Sequence, residues 1–256
     1  MKDIFVGLGA DSYHITIGNG IINRIGNLLQ DKVSAFSKEN RKSNKALIIS
    51  DENVAELYAG QISAQFSECG FIVKHIYNPP GEEHKNYSAI KRLYDAFFKH
   101  QMDRKSLVIA LGGGVVGDLA GYAAATFMRG VPYIQIPTTL LAQVDSSVGG
   151  KTGYNHPRGK NMIGSFYQPK GVFIDTDTLT TLPKEELTAG LVEVIKYGMI
   201  RSGQFFEFFE NALDDILKLA RQYPIIGLIN MSDMPAQQLQ SMRKEMRGKV
   251  ELFMTK

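Results

Sequence analysis

The chain has 256 residues, 21% of them charged and 44% hydrophobic, which is enough apolar material for one large domain or two smaller ones and unlike a disordered protein. A net charge of +3 dispersed over 29 Lys and Arg, with no Trp, excludes a nucleic-acid footprint, and no stretch approaches the roughly 18 apolar residues of a membrane span. The single Cys69 excludes an internal disulfide; with an N-terminus that lacks an apolar leader, it points to the cytoplasm. In chain order, residues 14–17 alternate like a short strand, and Gly18-Asn-Gly20 turns the chain into an amphipathic helix ending near Leu29. Residues 32–44 are polar and serine-rich and read as a surface loop. Residues 45–50 form a continuous apolar strand of the kind buried on both faces of a parallel sheet, with Asp51 at its carboxyl end before a helix through Phe66.

A third strand over 71–76 leads into Asn78-Pro-Pro-Gly-Glu-Glu-His-Lys85 and then a helix with apolar Ile90, Leu93, Tyr94, Phe97 and Phe98. The next unit runs from Leu107 to Lys160 and organises the chain: a strand over 107–111, the turn Gly112-Gly-Gly-Val-Val-Gly-Asp118, a small-residue helix, a strand over 133–136 and a polar, lysine-bearing loop over 137–160. A last strand over 172–175 is followed, beyond Pro183, by helical patterns only: 184–201, 204–219 and a basic stretch over 237–249. Strands alternating with helices predict βαβ units, a mostly parallel Rossmann-like sheet and ligands outside the carboxyl ends of its strands. The predicted organisation is an α/β domain over 1–180 followed by a shortened all-α domain over 181–256.

Gly112, Gly114 and Gly117 keep the G-x-G-x-x-G spacing between a strand and a helix, where backbone N–H groups can hold a pyrophosphate or another phosphorylated ligand; a tight turn without ligand has the same signature. The strand after that turn ends in Ile136-Pro-Thr-Thr139 and offers no acid for an adenosine ribose. Asp51 and Glu82 are then the candidates, although an Asp after a strand is also an ordinary helix N-cap. Between Asp145 and Asn161, Lys151, His156, Arg158 and Lys160 are interleaved with glycines, which suits close approach to an anionic, phosphorylated substrate. Glu193 and Lys196 lie three apart on one face of a helix, as a structural ion pair or as ligands for a metal or substrate.

The runs Gly112-Gly-Gly-Val-Val-Gly-Asp-Leu-Ala120, Phe127-Met-Arg-Gly130, Pro137-Thr-Thr-Leu-Leu141, Val144-Asp-Ser-Ser-Val-Gly-Gly-Lys-Thr-Gly153, Asn155-His-Pro157, Gly159-Lys-Asn-Met-Ile-Gly164 and Glu193-Val-Ile-Lys-Tyr-Gly198 together resemble the 3-dehydroquinate synthase family of sugar phosphate cyclases over residues 10 to 210. The resemblance implies NAD and a divalent metal, zinc or cobalt, held between an α/β domain and a helical one. It implies conversion of 3-deoxy-D-arabino-heptulosonate 7-phosphate to 3-dehydroquinate and phosphate in the shikimate pathway. Oxidation of a ring hydroxyl acidifies the neighbouring C–H, phosphate leaves, the hydride returns and an aldol step closes the ring. By position, Asp51, Glu82, Lys85, Gly113, Gly114, Asp118, Thr138, Thr139 and Thr181 are implied to hold NAD, and Lys151 and Lys160 to touch both NAD and substrate. Asp145, Asn161 and Lys196 are implied to bind the sugar acid, Arg129 to reach a phosphate across a homodimer interface, and Glu193 to ligate the metal.

The family's two metal-binding histidines have no counterpart, since the last histidine is His156, and residues 222–256 carry no motif of the family. A catalytic zinc takes three protein ligands, so metal binding and turnover are expected to be impaired. Of a disrupted reading frame, a shortened chain and a variant completed by a partner chain, the abrupt change of sequence favours the first. A non-catalytic NAD-binding subunit is the second reading. A polyol dehydrogenase of the glycerol dehydrogenase type is the third, opposed by the charge of the Lys151 and Lys160 loop.

Overall fold

A computed structural model describes residues 1–201, which form one compact unit, Met1–Arg201; a second unit comprises Ser202–Lys256. The helical patterns read over 204–219 and 237–249 lie outside the described residues.

The strands of the main sheet are β1 (Lys2–Val6), β2 (Tyr13–Gly18), β3 (Lys45–Asp51), β4 (Ile72–Asn78), β5 (Leu107–Gly112), β6 (Tyr133–Pro137) and, after a separate hairpin of β7 (Lys151–His156) and β8 (Gly159–Phe166), β9 (Gly171–Asp175). Their order is β1-β2-β9-β6-β5-β3-β4, parallel throughout except for β1 against β2. The helices are α1 (Ile25–Lys32), α2 (Glu52–Val54), α3 (Gly60–Glu68), α4 (Tyr87–Lys99), α5 (Gly114–Thr126) and α6 (Lys184–Arg201). Between α2 and α3 the Ala55–Ala59 turn is wound wider, as a π-helix, so the helix expected from Asp51 through Phe66 is present with one irregular turn.

Successive residues of each central strand face opposite ways, which explains why the strands read as unbroken apolar runs. Ile48, Ile109 and Ile136 pack with α1 and α3 on one face, while Leu47, Val108 and Tyr133 pack with α4 and α5 on the other. The chain leaves β3 toward β4 at one edge and returns to β5 on β3's other side. The carboxyl ends of β3 and β5 therefore flank the point where the winding reverses, and a crevice opens at such points.

Three sequence expectations change. The stretch 137–160 is not one loop: from Lys151 it is a strand that pairs with β8, and Gly153 faces Gly164 across the ladder. A Cβ at either glycine would run into the opposite backbone, so these residues serve close strand approach where the sequence suggested loop flexibility. β1 leaves no strand signal in the sequence, because an edge strand exposed along nearly its whole length has no burial alternation. The polar stretch after Lys32 is partly core, since Val33 and Phe36 are buried.

Candidate functional site

The glycine turn joins β5 to α5. Gly113 occupies the N-cap position of α5 without any side-chain cap, so the first-turn N–H groups are not used by a capping side chain. A Cβ at Gly114 would lie 3.0 Å from Ser146 Oγ and one at Gly113 3.1 Å from Thr139 Cγ2, so the bare backbone lets these loops close together. Asp51, at the end of β3, caps α2 by accepting from Val54 N at 3.0 Å, the ordinary role anticipated for it, and it also stands beside Gly112. Thr139 Oγ1 accepts from Ala142 N at 3.2 Å, whereas the buried Thr138 Oγ1 has no partner. Thr181 shares a hydroxyl contact with Tyr58.

Beside the first turn of α5 lies a cross-braced polar group. Lys85 is 4% exposed, and its Nζ donates to Asp118 Oδ2 and, at 2.6 Å, to Asn161 Oδ1. A lysine is tolerated at this depth only when paired. Burial pushes the Asp118 carboxyl above its ordinary range, and Lys85 opposes that shift. Glu82 Oε1 accepts from Asn155 Nδ2 at 2.8 Å. Asp118 and Asn161 then line a cavity of about 480 Å³ together with Asp145, Ser146 and Lys151, and Phe166 stands at its wall.

On the other side, α6 packs against the turn after β6 at Gly190, where a Cβ would sit 2.6 Å from Leu140 Cβ and 2.7 Å from Leu141 N. That approach lets Tyr197 donate to Asp145 Oδ1 at 2.7 Å; the hydrogen bond holds the Tyr197 phenol protonated and pushes its pKa up to about 12. Lys196 Nζ donates to Glu193 Oε1 at 2.6 Å, which raises the Lys196 pKa.

Of the anticipated residues, Glu82, Lys85, Asp118, Asp145, Lys151 and Asn161 are gathered around the cavity or the network at its wall. Lys160 is exposed on β8, and Arg129 follows the far end of α5, about 20 Å of helix from the glycine turn. Tyr197 and Asn155 stand within motif runs that give them no role; their contacts come only from the elements they join. Glu193 meets Lys196, and among the described residues no group of three His, Cys, Asp or Glu is placed to hold a metal ion.

The family model of the 3-dehydroquinate synthase N-terminal domain matches residues 75–189. Over this first unit the chain is similar to the 3-dehydroquinate synthase family. A 3-dehydroquinate synthase of Desulforamulus reducens is 54% identical over 219 residues, covering 86% of this chain and 59% of that protein. The chain thus spans about three fifths of the length of the curated relatives it matches. A solved 2-deoxy-scyllo-inosose synthase complexed with carbaglucose-6-phosphate, NAD+ and Co2+ superposes with TM-score 0.68 at 26% identity, over 76% of this chain and 50% of that one. The fold is shared with ValA, a 2-epi-5-epi-valiolone synthase from Streptomyces hygroscopicus with NAD+ and Zn2+ bound, at TM-score 0.68 and 24% identity, over 94% of this chain and 63% of that one. Residues 210–256 match a different family model, Ribosomal protein L10, and they include the whole of the stretch, 222–256, that carries no synthase motif.

Proposed function

We propose that the first unit is the NAD- and sugar-phosphate-binding half of a 3-dehydroquinate synthase, a carbon–oxygen lyase acting on 3-deoxy-D-arabino-heptulosonate 7-phosphate. The observation that carries this reading is the single cavity wall on which Asp118 and Asn161, tied to buried Lys85, stand with Asp145 and Lys151 next to the uncapped, Cβ-free start of α5.

The residues fit a dinucleotide. The open N–H groups at the start of α5 suit a pyrophosphate, and Gly113 and Gly114 leave room for it. The unpartnered Thr138 hydroxyl, Thr139, Asp51, Glu82 and Thr181 would complete the pocket. When bound, NAD supplies the transient oxidation that acidifies the C–H next to the leaving phosphate. The chain's own part is positioning. Lys151 places a cation at the cavity and Lys160 would add a second from exposed β8, facing a substrate that carries a carboxylate and a phosphate, whose local concentration such charge raises. Lys85, neutralised by Asp118, fixes the Asn161 side chain at the wall, and Tyr197 orients the Asp145 carboxylate. A homodimer belongs to the same proposal, because Arg129, a helix length from its own cavity, would then serve a partner's site.

The described residues do not fit a metal centre: Glu193 has no second and third ligand beside it and is occupied by Lys196. No step is assigned to a metal, and NAD binding is the readout that tests this chain. Calorimetric titration is expected to show one NAD per chain, with Gly114→Val lowering the affinity more than tenfold by filling the space beside Ser146. Absence of NAD binding by the unaltered chain refutes the reading. Elemental analysis of the dialysed protein is expected to give well under one zinc per chain; tight stoichiometric zinc refutes the assignment of its ligand set.

A further inference from the structure

We propose that Asn155 is a positioning residue for the cofactor pocket: its side-chain amide aims the Glu82 carboxylate and, from the same point, sets the conformation of Asn161. The inference rests on the NAD reading above and deepens it. Asn155 sits where the β7–β8 ladder breaks register: Tyr154 faces Ile163, but His156 faces Gly159, leaving extra residues on β8 opposite Asn155. Such bulges redirect side chains out of the ladder. Asn155 N donates to Lys85 O at 2.8 Å and forms a bridge with Asn86, which ties the hairpin to the segment carrying Glu82 and Lys85.

The side chain uses both ends of its amide. Nδ2 donates to Glu82 Oε1 at 2.8 Å, and Oδ1 accepts from Asn161 N at 2.8 Å. Glu82 can only accept and the Asn161 amide nitrogen can only donate, so the group between them must do both over a short reach. Aspartate at this position keeps the acceptor but sets a carboxylate against Glu82, and alanine keeps neither. Asn161 lies at φ +56, a left-handed conformation that needs local support, and from it Oδ1 reaches Lys85 Nζ at 2.6 Å. One amide therefore links the residue expected at the ribose to the residue facing the sugar-acid cavity.

The test is a double-substitution cycle read by NAD titration of the full chain, with circular dichroism as the folding check. Asn155→Ala and Glu82→Ala are each expected to weaken NAD at least tenfold, and the double variant to be no weaker than Glu82→Ala within a factor of two, because Asn155 acts on the dinucleotide through Glu82, whereas its hold on Asn161 bears on the sugar-acid side of the cavity. Asn155→Asp keeps the acceptor for Asn161, so it carries the test if the alanine variant fails to fold. Asp is expected to weaken NAD at least tenfold with Glu82 present and to be neutral once Glu82 is removed. Losses that multiply in the double variants overturn the proposal, as does an unchanged affinity in Asn155→Asp. No NAD binding by the unaltered chain overturns the function and this inference together, a result that the variants alone cannot produce.

Discussion

The two sides of the cavity are held by opposite means. At the Lys85 side, segments from α4's approach, α5 and the hairpin converge on a buried ammonium, and each polar group is fixed by partners distant in sequence. At the α6 side, Glu193 is held by its own helix neighbour Lys196, and one phenol–carboxylate bond, from Tyr197 to Asp145, crosses between elements. The first side is preorganised by burial; the second takes its geometry from how closely one helix packs. Disturbing them should therefore give unequal results.

The largest effect is expected from Lys85→Met, which leaves the Asp118 carboxylate buried without its cation and costs about 3 kcal/mol in denaturant unfolding. The loss should shrink in acid. Burial raises the Asp118 pKa in the folded chain, so its protonated form is favoured there. The corresponding stability is present below the ordinary carboxylate value of 3.8 and is lost as pH rises through the raised one. A deficit independent of pH would show that Asp118 is not the group left unpaired. Gly190→Ala comes next: the new methyl meets Leu140 and the Leu141 nitrogen, lifts α6 and costs roughly 1–3 kcal/mol in thermal unfolding. An unchanged melting temperature would mean that α6 does not pack there.

The smallest change belongs to Tyr197→Phe, about 1 kcal/mol once exposure of the bond is allowed for. Its sharper signature is spectroscopic. The folded phenol, held protonated by Asp145, titrates near 12, so its contribution is complete below the ordinary value of 10 and disappears between 10 and 12. Ultraviolet titration should lose a high-pH tyrosine step in Tyr197→Phe; retention of every step assigns that shift elsewhere.

The legibility of the sequence follows the same division. Runs such as residues 107–111 read as buried strands because both faces are covered, and the glycine turn reads as a strand-to-helix junction because spacing and context are local. The hairpin did not read, because Gly153 and Gly164 answer a backbone contact eleven residues away in sequence. Nor did the contact of Asn155: the ladder breaks register there, and its side chain meets Glu82, 73 residues earlier. Tyr197 carried no signal beyond its motif, since its use depends on how near Gly190 brings a helix.

What the residues alone determined is the alternation of strand and helix, the family resemblance and the inventory of cations, acids and glycines, because each is written in neighbouring positions or in motif order. Which of these meet was decided by the tertiary structure: Lys85 with Asp118 and Asn161 at one wall, Asp145 with Tyr197, and Arg129 at the far end of α5. The physical reason is that pairing a buried charge requires partners from separate segments, and only the packed sheet brings those segments within hydrogen-bond reach.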